Sequence, residues 1–522
     1  LCDARGRVVA QGLCQPRHMC AIPTAVAALF HRYADAFRPG DIYVLNDPYE
    51  GGTHLPDVYL FRPAFLDGAL AGLACCVVHH TDIGGRVAGG NASDSTEIYQ
   101  EGLRIPPLKL YEGDQPNETL LRLLEKNVRV PDKVLGDLMA QVTACRLGER
   151  EFLALVREQG FHRFQAAVAA LLDYTEALTR AELRALPDGA WEFTDHIDDD
   201  GVEERPIPIH VTITKEGDTL TADFTGTSPQ VKGAINSTAS YTRSITYACV
   251  KSVLSPHIPN NEGFFRPVRV VAPPGSFVNP LPPAPVAARG LAGMRITEAV
   301  FGALAQALPH KVPACEAGLD TGITIAGYYP DRRPFVHMEF LYASWGGGPD
   351  RDGADGLTSC HSNYSNVPAE VIEVEQPLVV EAYGYAPDSG GPGKYRGGLA
   401  LVRRYRLTGV DEAYLQLRTD RQRFLPYGLW GGRPGTPSRN VLNPDTGPVV
   451  PPSKGMVRLR RGDVFHHVTA GAGGWGDPLE RDPEAVLRDV WNEKLGAEYA
   501  RRQYGVVVDT QRWTVDREAT EA

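Results

Sequence analysis

No apolar stretch in this 522-residue sequence is long enough to span a membrane: the longest, around Ala69 to Val78, is half the required length and follows the polar pair Asp67-Gly68. The nine Cys residues form no Cys-x-x-Cys pair, and their scatter excludes a secreted disulfide framework, which favours a reducing, cytoplasmic setting. A phosphate cradle is also missing. Gly390-Gly-Pro-Gly-Lys-Tyr395 lacks the first glycine and the Ser or Thr of a P-loop. Gly471-Ala-Gly-Gly-Trp-Gly476 has the spacing of a dinucleotide loop but runs at once into Asp477-Pro478, so a tight turn is expected there. There is no Gly-x-Ser-x-Gly elbow and no convincing cysteine nucleophile. A formal charge of −11 argues against nucleic-acid or anionic-membrane binding, and the basic runs at Arg403 to Arg406 and Arg458 to Arg461 are expected to be solvated strand faces.

What is present reads as a mixed α+β protein of two or three packed regions, rich in ordered turns from its 54 Gly and 41 Pro. Leu1 to Ala10 already reads as a strand pair around a turn, so the natural N-terminus is expected before Leu1. Residues 1–190 should form a β-rich region carrying polar clusters, with helices from about Asn117 to Leu186 covering its sheet. Residues 191–376 read as a central α/β region with a hairpin at Glu216-Gly217-Asp218 and helices near Ala239 to Leu254 and Ile296 to Leu308. Residues 377–522 read as β-rich, ending in a helix capped by Asp482 with Pro483 at its first position.

The chemistry concentrates in Asn46 to Asp57 (NDPYEGGTHLPD) and His79 to Gly85 (HHTDIGG). Asp67-Gly68 accepts the positive φ angles of a type I′ hairpin turn, so Leu66 should face Ala69 and Asp57 should face Val78. Side chains alternate between faces, which puts His80 on the face of Asp57, with His54 reaching over from the Gly51-Gly52-Thr53 loop. A three-residue turn would bring His79 to that face instead. Imidazole and carboxylate without thiolate suit Zn, Mn or Fe, so His54, Asp57 and His80 are the expected metal ligands. Asp82 could bind the metal, orient His80 or shuttle a proton, and Glu97 is a second proton-transfer candidate, although Asp94 with Glu97 also fits a capping box.

Those two segments, with Ser95 to Gly102, Asp223 to Gln230, Pro387 to Gly398 and Gly471 to Pro478, resemble the hydantoinase B/oxoprolinase family along nearly the whole chain. The resemblance implies a hydantoinase A-type ATPase partner in a hetero-oligomer, with ATP bound by that partner, which accounts for the missing cradle. It also implies ATP-dependent opening of a cyclic amide such as a hydantoin or 5-oxoproline, or else carboxylation of a ketone such as acetone or acetophenone; the modest chain length leans toward ring opening or an acetophenone-like system. A scaffold that only supports the ATPase is the third reading. Substrate contacts are expected from Tyr99, Arg289, Arg295 and Trp345. Gly290 to Arg295 departs from the polar run the family suggests, which implies a more apolar or simply unusual ligand.

Overall fold

The computed structural model describes the chain apart from residues 13, 14, 20, 319, 320, 343, 361 and 522, and apart from the side chain of residue 35. Cys14 and Cys20 therefore lie outside the described residues, and the other seven cysteines are free thiols. Among the described residues no helix is long and apolar enough to cross a membrane. The fold is mixed α+β. It divides into two compact units, Leu1–Glu192 with His210–Val300, and Phe193–Ile209 with Phe301–Ala522.

The first unit is built on a six-stranded sheet of β1 (Cys2–Asp3), β2 (Ile42–Leu45), β3 (Asp57–Leu66), β4 (Ala69–His79), β5 (Leu108–Glu112) and β6 (Gln115–Pro116), in the order β1-β4-β3-β2-β5-β6. The expected N-terminal strand pair is there, with Cys2 bridging Val8 around Gly6 at φ +78°. Alternation along β3 decides which helix each residue meets. Tyr59 and Phe61 pack with Ala25, Val26 and Leu29 of α1 (Ala21–Tyr33). Val58 and Leu60 pack on the other side with residues of α2 (Glu118–Asn127) and α3 (Pro131–Gln159), among them Leu124, Val134, Leu138 and Val142. Asn117 starts α2 by accepting the Leu120 N–H at 3.1 Å, which satisfies one of the free donors of the first turn. A further long helix, α4 (Phe161–Arg184), completes the predicted helical stretch.

A second sheet, of order β10-β9-β8-β7, follows: β7 (Gly189–Ile197), β8 (Ile207–Glu216), β9 (Thr219–Asp223) and β10 (Val268–Val271). Its β8–β9 turn is the expected hairpin, with Gly217 at φ +57°. The two predicted central helices are α5 (Ala239–Val253) and α6 (Gly290–Ala307).

The second unit carries two four-stranded sheets. One joins β11 (Thr321–Tyr328), β12 (Pro334–Leu341), β15 (Glu412–Arg418) and β17 (Lys454–Arg460) in the order β12-β11-β15-β17. The other joins β13 (Leu378–Ala386), β14 (Ala400–Leu407), β16 (Arg439–Leu442) and β18 (Val464–Val468) in the order β13-β14-β18-β16. Ile323, Leu415 and Leu417 from the first share a core with Tyr405, Leu407 and Phe465 from the second. Pairing of β11 with β15 joins residues on both sides of position 376, and the first unit resumes at His210 after Glu192. The helix expected to end the chain, α7 (Pro483–Trp491), is capped as expected, the Asp482 carboxylate accepting the Glu484 N–H at 3.0 Å, but two further helices, Ala497–Tyr504 and Arg517–Glu521, follow it.

Two expectations in this unit are corrected. Arg403 is fully buried and paired with Glu339 at 3.0 Å, because alternation on β14 turns Arg403 and Tyr405 inward while Arg404 and Arg406 meet Glu381 outside. The segment Gly471 to Gly476 is not simply a tight turn. Only Gly476 of its glycines has a positive φ, and the others are stacked against neighbouring backbone: Gly473 donates to Cys315 O at 2.9 Å and accepts from Gly347 N at 2.9 Å, and Gly391 N donates to Ala472 O at 2.8 Å. Glycine is needed there for close approach.

Candidate metal and substrate site

The first unit brings Thr53, His54 and Asp57 of one motif segment and His79 of the other to the α1 side of β3. Asn46 shapes the loop: its amide donates to Leu55 O (2.8 Å) and Leu103 O (3.0 Å), and its oxygen accepts the Ile105 N–H (2.7 Å). Gly51 takes φ +105°, and a Cβ on Gly52 would stand 2.6 Å from Asn46 O, so this tight loop tolerates only glycine at those points. It delivers Thr53 and His54 beside Asp57, the first residue of β3.

The register differs by one from the expected one. Asp67 (φ +49°) and Gly68 (φ +82°) form the predicted turn and Leu66 does face Ala69, but the ladder then slips: Phe65 pairs with Leu70 and Ala64 with Gly72, leaving Ala71 as the extra residue. Beyond the bulge Asp57 faces His79, not Val78. His79 therefore shares the α1 side with Asp57, its ring 4.9 Å from that of His54. His80 turns to α3, where its Nε2 lies 2.7 Å from Gln141 Oε1. A sequence signal for the slip existed: Pro63 has no N–H for the ladder and Gly72 sits opposite Ala64, both residue types that mark strand irregularities.

Asp57 is completely buried. His54 Nδ1 stands 2.9 Å and His18 Nε2 3.3 Å from its Oδ2, neither with hydrogen-bond geometry, while Asp57 Oδ1 has no partner at all. Thr53 Oγ1 and Arg289 Nη2 both donate to that same Oδ2. Burial alone would raise the Asp57 pKa, but His54, Arg289 and His18 outweigh it and hold the carboxyl well below its usual range. Burial, reinforced by Arg289, pushes His54 well below the ordinary imidazole value, so it is neutral with a free lone pair. An ionised carboxylate and a neutral imidazole with unpartnered atoms are the donor chemistry that suits a divalent ion. Among the described residues, however, no three His, Cys, Asp or Glu side chains are already set as a finished metal site.

The comparisons with known proteins fall on the same chain from end to end. The hydantoinase B/oxoprolinase family matches residues 1–478. The chain belongs to this family. The caprolactamase subunit beta of Pseudomonas jessenii is 32% identical over 98% of this chain and 89% of its own length. The crystal structure of the ATP-dependent caprolactamase from Pseudomonas jessenii superposes with a TM-score of 0.91 at 30% identity, covering 99% of this chain and 91% of the other. Nucleotide-free acetone carboxylase has the same fold, with a TM-score of 0.90 at 18% identity over 100% of this chain and 76% of the other.

In this hydantoinase B-type chain the remaining candidates are dispersed. Asp82, fully buried, accepts from Gly89 N (3.0 Å), Arg129 N (2.6 Å) and Arg129 Nη1 (3.3 Å), and it makes no hydrogen bond to His80. Glu97 is exposed and caps nothing with its side chain; Asp94 pairs with Arg86, so the capping box does not form. Tyr99 is 67% exposed beneath Arg104. Arg295 is buried in α6, and Trp345, in the second unit, donates its indole N–H to Thr358 O at 2.5 Å. Arg289 alone of the four expected substrate residues reaches Asp57. His18 was missed because a single His beside Pro16-Arg17 carries no pattern of its own.

Glu101 supports this site from behind. Its Oε1 accepts the N–H groups of Val286 (2.6 Å) and Ala287 (2.9 Å), fixing the segment that presents Arg289. Burial raises its pKa from 4.5 to about 8, those two N–H bonds opposing the shift. Between those values the unfolded chain has lost the proton and the folded chain keeps it, so this residue's stabilising contribution is full below pH 4.5 and fades as pH rises toward 8. Glu101→Gln retains the acceptor oxygen and cannot ionise. It is expected to flatten that part of the stability curve, gaining on the order of a few kcal/mol over the wild type at pH 8 relative to pH 5. Urea midpoints at the two pH values check this, and parallel pH dependences would sink it.

Proposed function

We propose that this chain is the metal-bearing subunit of an ATP-dependent cyclic-amide hydrolase, opening a hydantoin, 5-oxoproline or lactam ring together with a hydantoinase A-type ATPase subunit. The observation that carries this reading is the convergence of His18 and His54 on Asp57, with His79 alongside, in a chain similar to a caprolactamase subunit along almost its whole length. His54, Asp57 and His79 would hold the ion, His79 replacing the His80 expected from the unbulged register. A divalent metal such as Zn, Mn or Fe supplies Lewis-acid polarisation of a carbonyl or phosphoryl oxygen. The chain's own part is to keep His54 neutral by burial, to keep Asp57 ionised, and to hold that carboxylate in place through Thr53. ATP is consumed on the partner, which phosphorylates the lactam or imide oxygen.

The test is to co-purify the chain with its ATPase partner and measure ATP turnover against hydantoins, 5-oxoproline, lactams and aryl ketones, with and without bicarbonate. Ring-opened product formed independently of bicarbonate is expected. Turnover of a ketone that requires bicarbonate would make the complex a carboxylase, and full activity after exhaustive metal removal would leave this chain a scaffold.

A further inference from the structure

The geometry points to Arg289 as a built-in counter-cation of the metal site, occupying Asp57 when the ion is absent and giving it up when the ion binds. This rests on the metal reading of Asp57 given above. Three nitrogens, Arg289 Nη2, His54 Nδ1 and His18 Nε2, crowd a single carboxylate oxygen, Asp57 Oδ2, while Oδ1 is left unpartnered. Such a buried carboxylate requires an opposite charge, and of these groups a guanidinium is the one that is always charged. A divalent ion on the same carboxylate makes that guanidinium redundant and repels it across a few ångströms of protein interior.

Arg289 is built to stand in without being fixed to Asp57. Its guanidinium lies over the Tyr241 ring at 4.1 Å, its second contact is the Thr53 hydroxyl at 3.1 Å, and its Nε, in a side chain 5% exposed, has no partner. The backbone before it is anchored through the Glu101 clamp on Val286 and Ala287, so a displacement from Asp57 would fall on the side chain and not on the segment.

The experiment titrates the purified full chain with Mn²⁺ or Zn²⁺ against a chromophoric chelator and records the thermal midpoint with and without metal, for wild type, Arg289→Met, Arg289→Gln, Arg289→Lys and Asp57→Asn. Arg289→Met and Arg289→Gln are expected to bind metal about tenfold or more tighter, since nothing charged has to be displaced. Their metal-free midpoints should fall and recover on loading, and Arg289→Lys should stay near wild type. Wild-type or weaker affinity in both uncharged variants overturns the proposal. Should Arg289→Met fail to fold, Arg289→Gln decides, because it keeps a donor and loses only the charge. Unchanged binding in Asp57→Asn would instead place the metal elsewhere and bring down the site reading itself.

Discussion

His79→Ala is expected to abolish metal uptake and to lower the activity of the partner-bound chain by more than about 100-fold, whereas His80→Ala keeps the metal. The two residues are neighbours in sequence but lie on opposite faces of the sheet. His79, opposite Asp57, stands 4.9 Å ring to ring from His54; His80 is buried against Gln141 of α3, whose amide also donates to Val58 O at 2.9 Å. Removing His80 strands the Gln141 oxygen and so costs about 1–3 kcal/mol of stability, not the site. Elemental analysis of both variants, beside urea unfolding, separates the two effects. Metal retained in His79→Ala and lost in His80→Ala would refute the assignment of His79.

Gly471→Ala is expected to destabilise the second unit by about 3 kcal/mol or more, although alanine is the smallest possible addition. A Cβ at Gly471 would stand 1.8 Å from Ser389 O and at Gly473 1.9 Å from Tyr427 O, and in both cases the obstacle is backbone held by its own hydrogen bonds. No side chain can swing away to make room. Gly447→Ala provides the control: nothing lies within 4 Å of its Cβ position, and the change should fall within about 0.5 kcal/mol. Urea denaturation of the two variants should therefore diverge widely. Equal midpoints would mean that the glycine-rich segments are not stacked as described.

Much of the local structure was legible in the sequence because its causes are local. The type I′ turn at Asp67-Gly68, the hairpin at Gly217, the Asp482 cap and the helical stretch beyond Asn117 each depend on a few adjacent residues. The burial of Arg403 could also have been read from alternation, since Arg404 and Arg406 face one way and Arg403 and Tyr405 the other. The stacking of Gly471 to Gly474 could not. A glycine required for a turn and one required for close contact look identical in sequence, and the contacting backbone at Ser389 and Tyr427 belongs to other segments.

The candidate site divides in the same way. Sequence by itself determined that His54 and Asp57 belong together, because only Leu55 and Pro56 separate them in the chain. It also determined the hairpin that brings the HHTDIGG segment alongside. Only the tertiary structure put His79, and not His80, on the face of Asp57, because side chains alternate with period two and a single bulged residue, Ala71, exchanges the faces of everything beyond it. Only the tertiary structure supplied His18, and only it placed Arg289, expected merely as a substrate contact, on Asp57, 232 residues away in the chain. Neither is marked by spacing, since what gathers them around one buried carboxylate is packing between distant segments, and a buried charge draws its partners from wherever the fold can provide them.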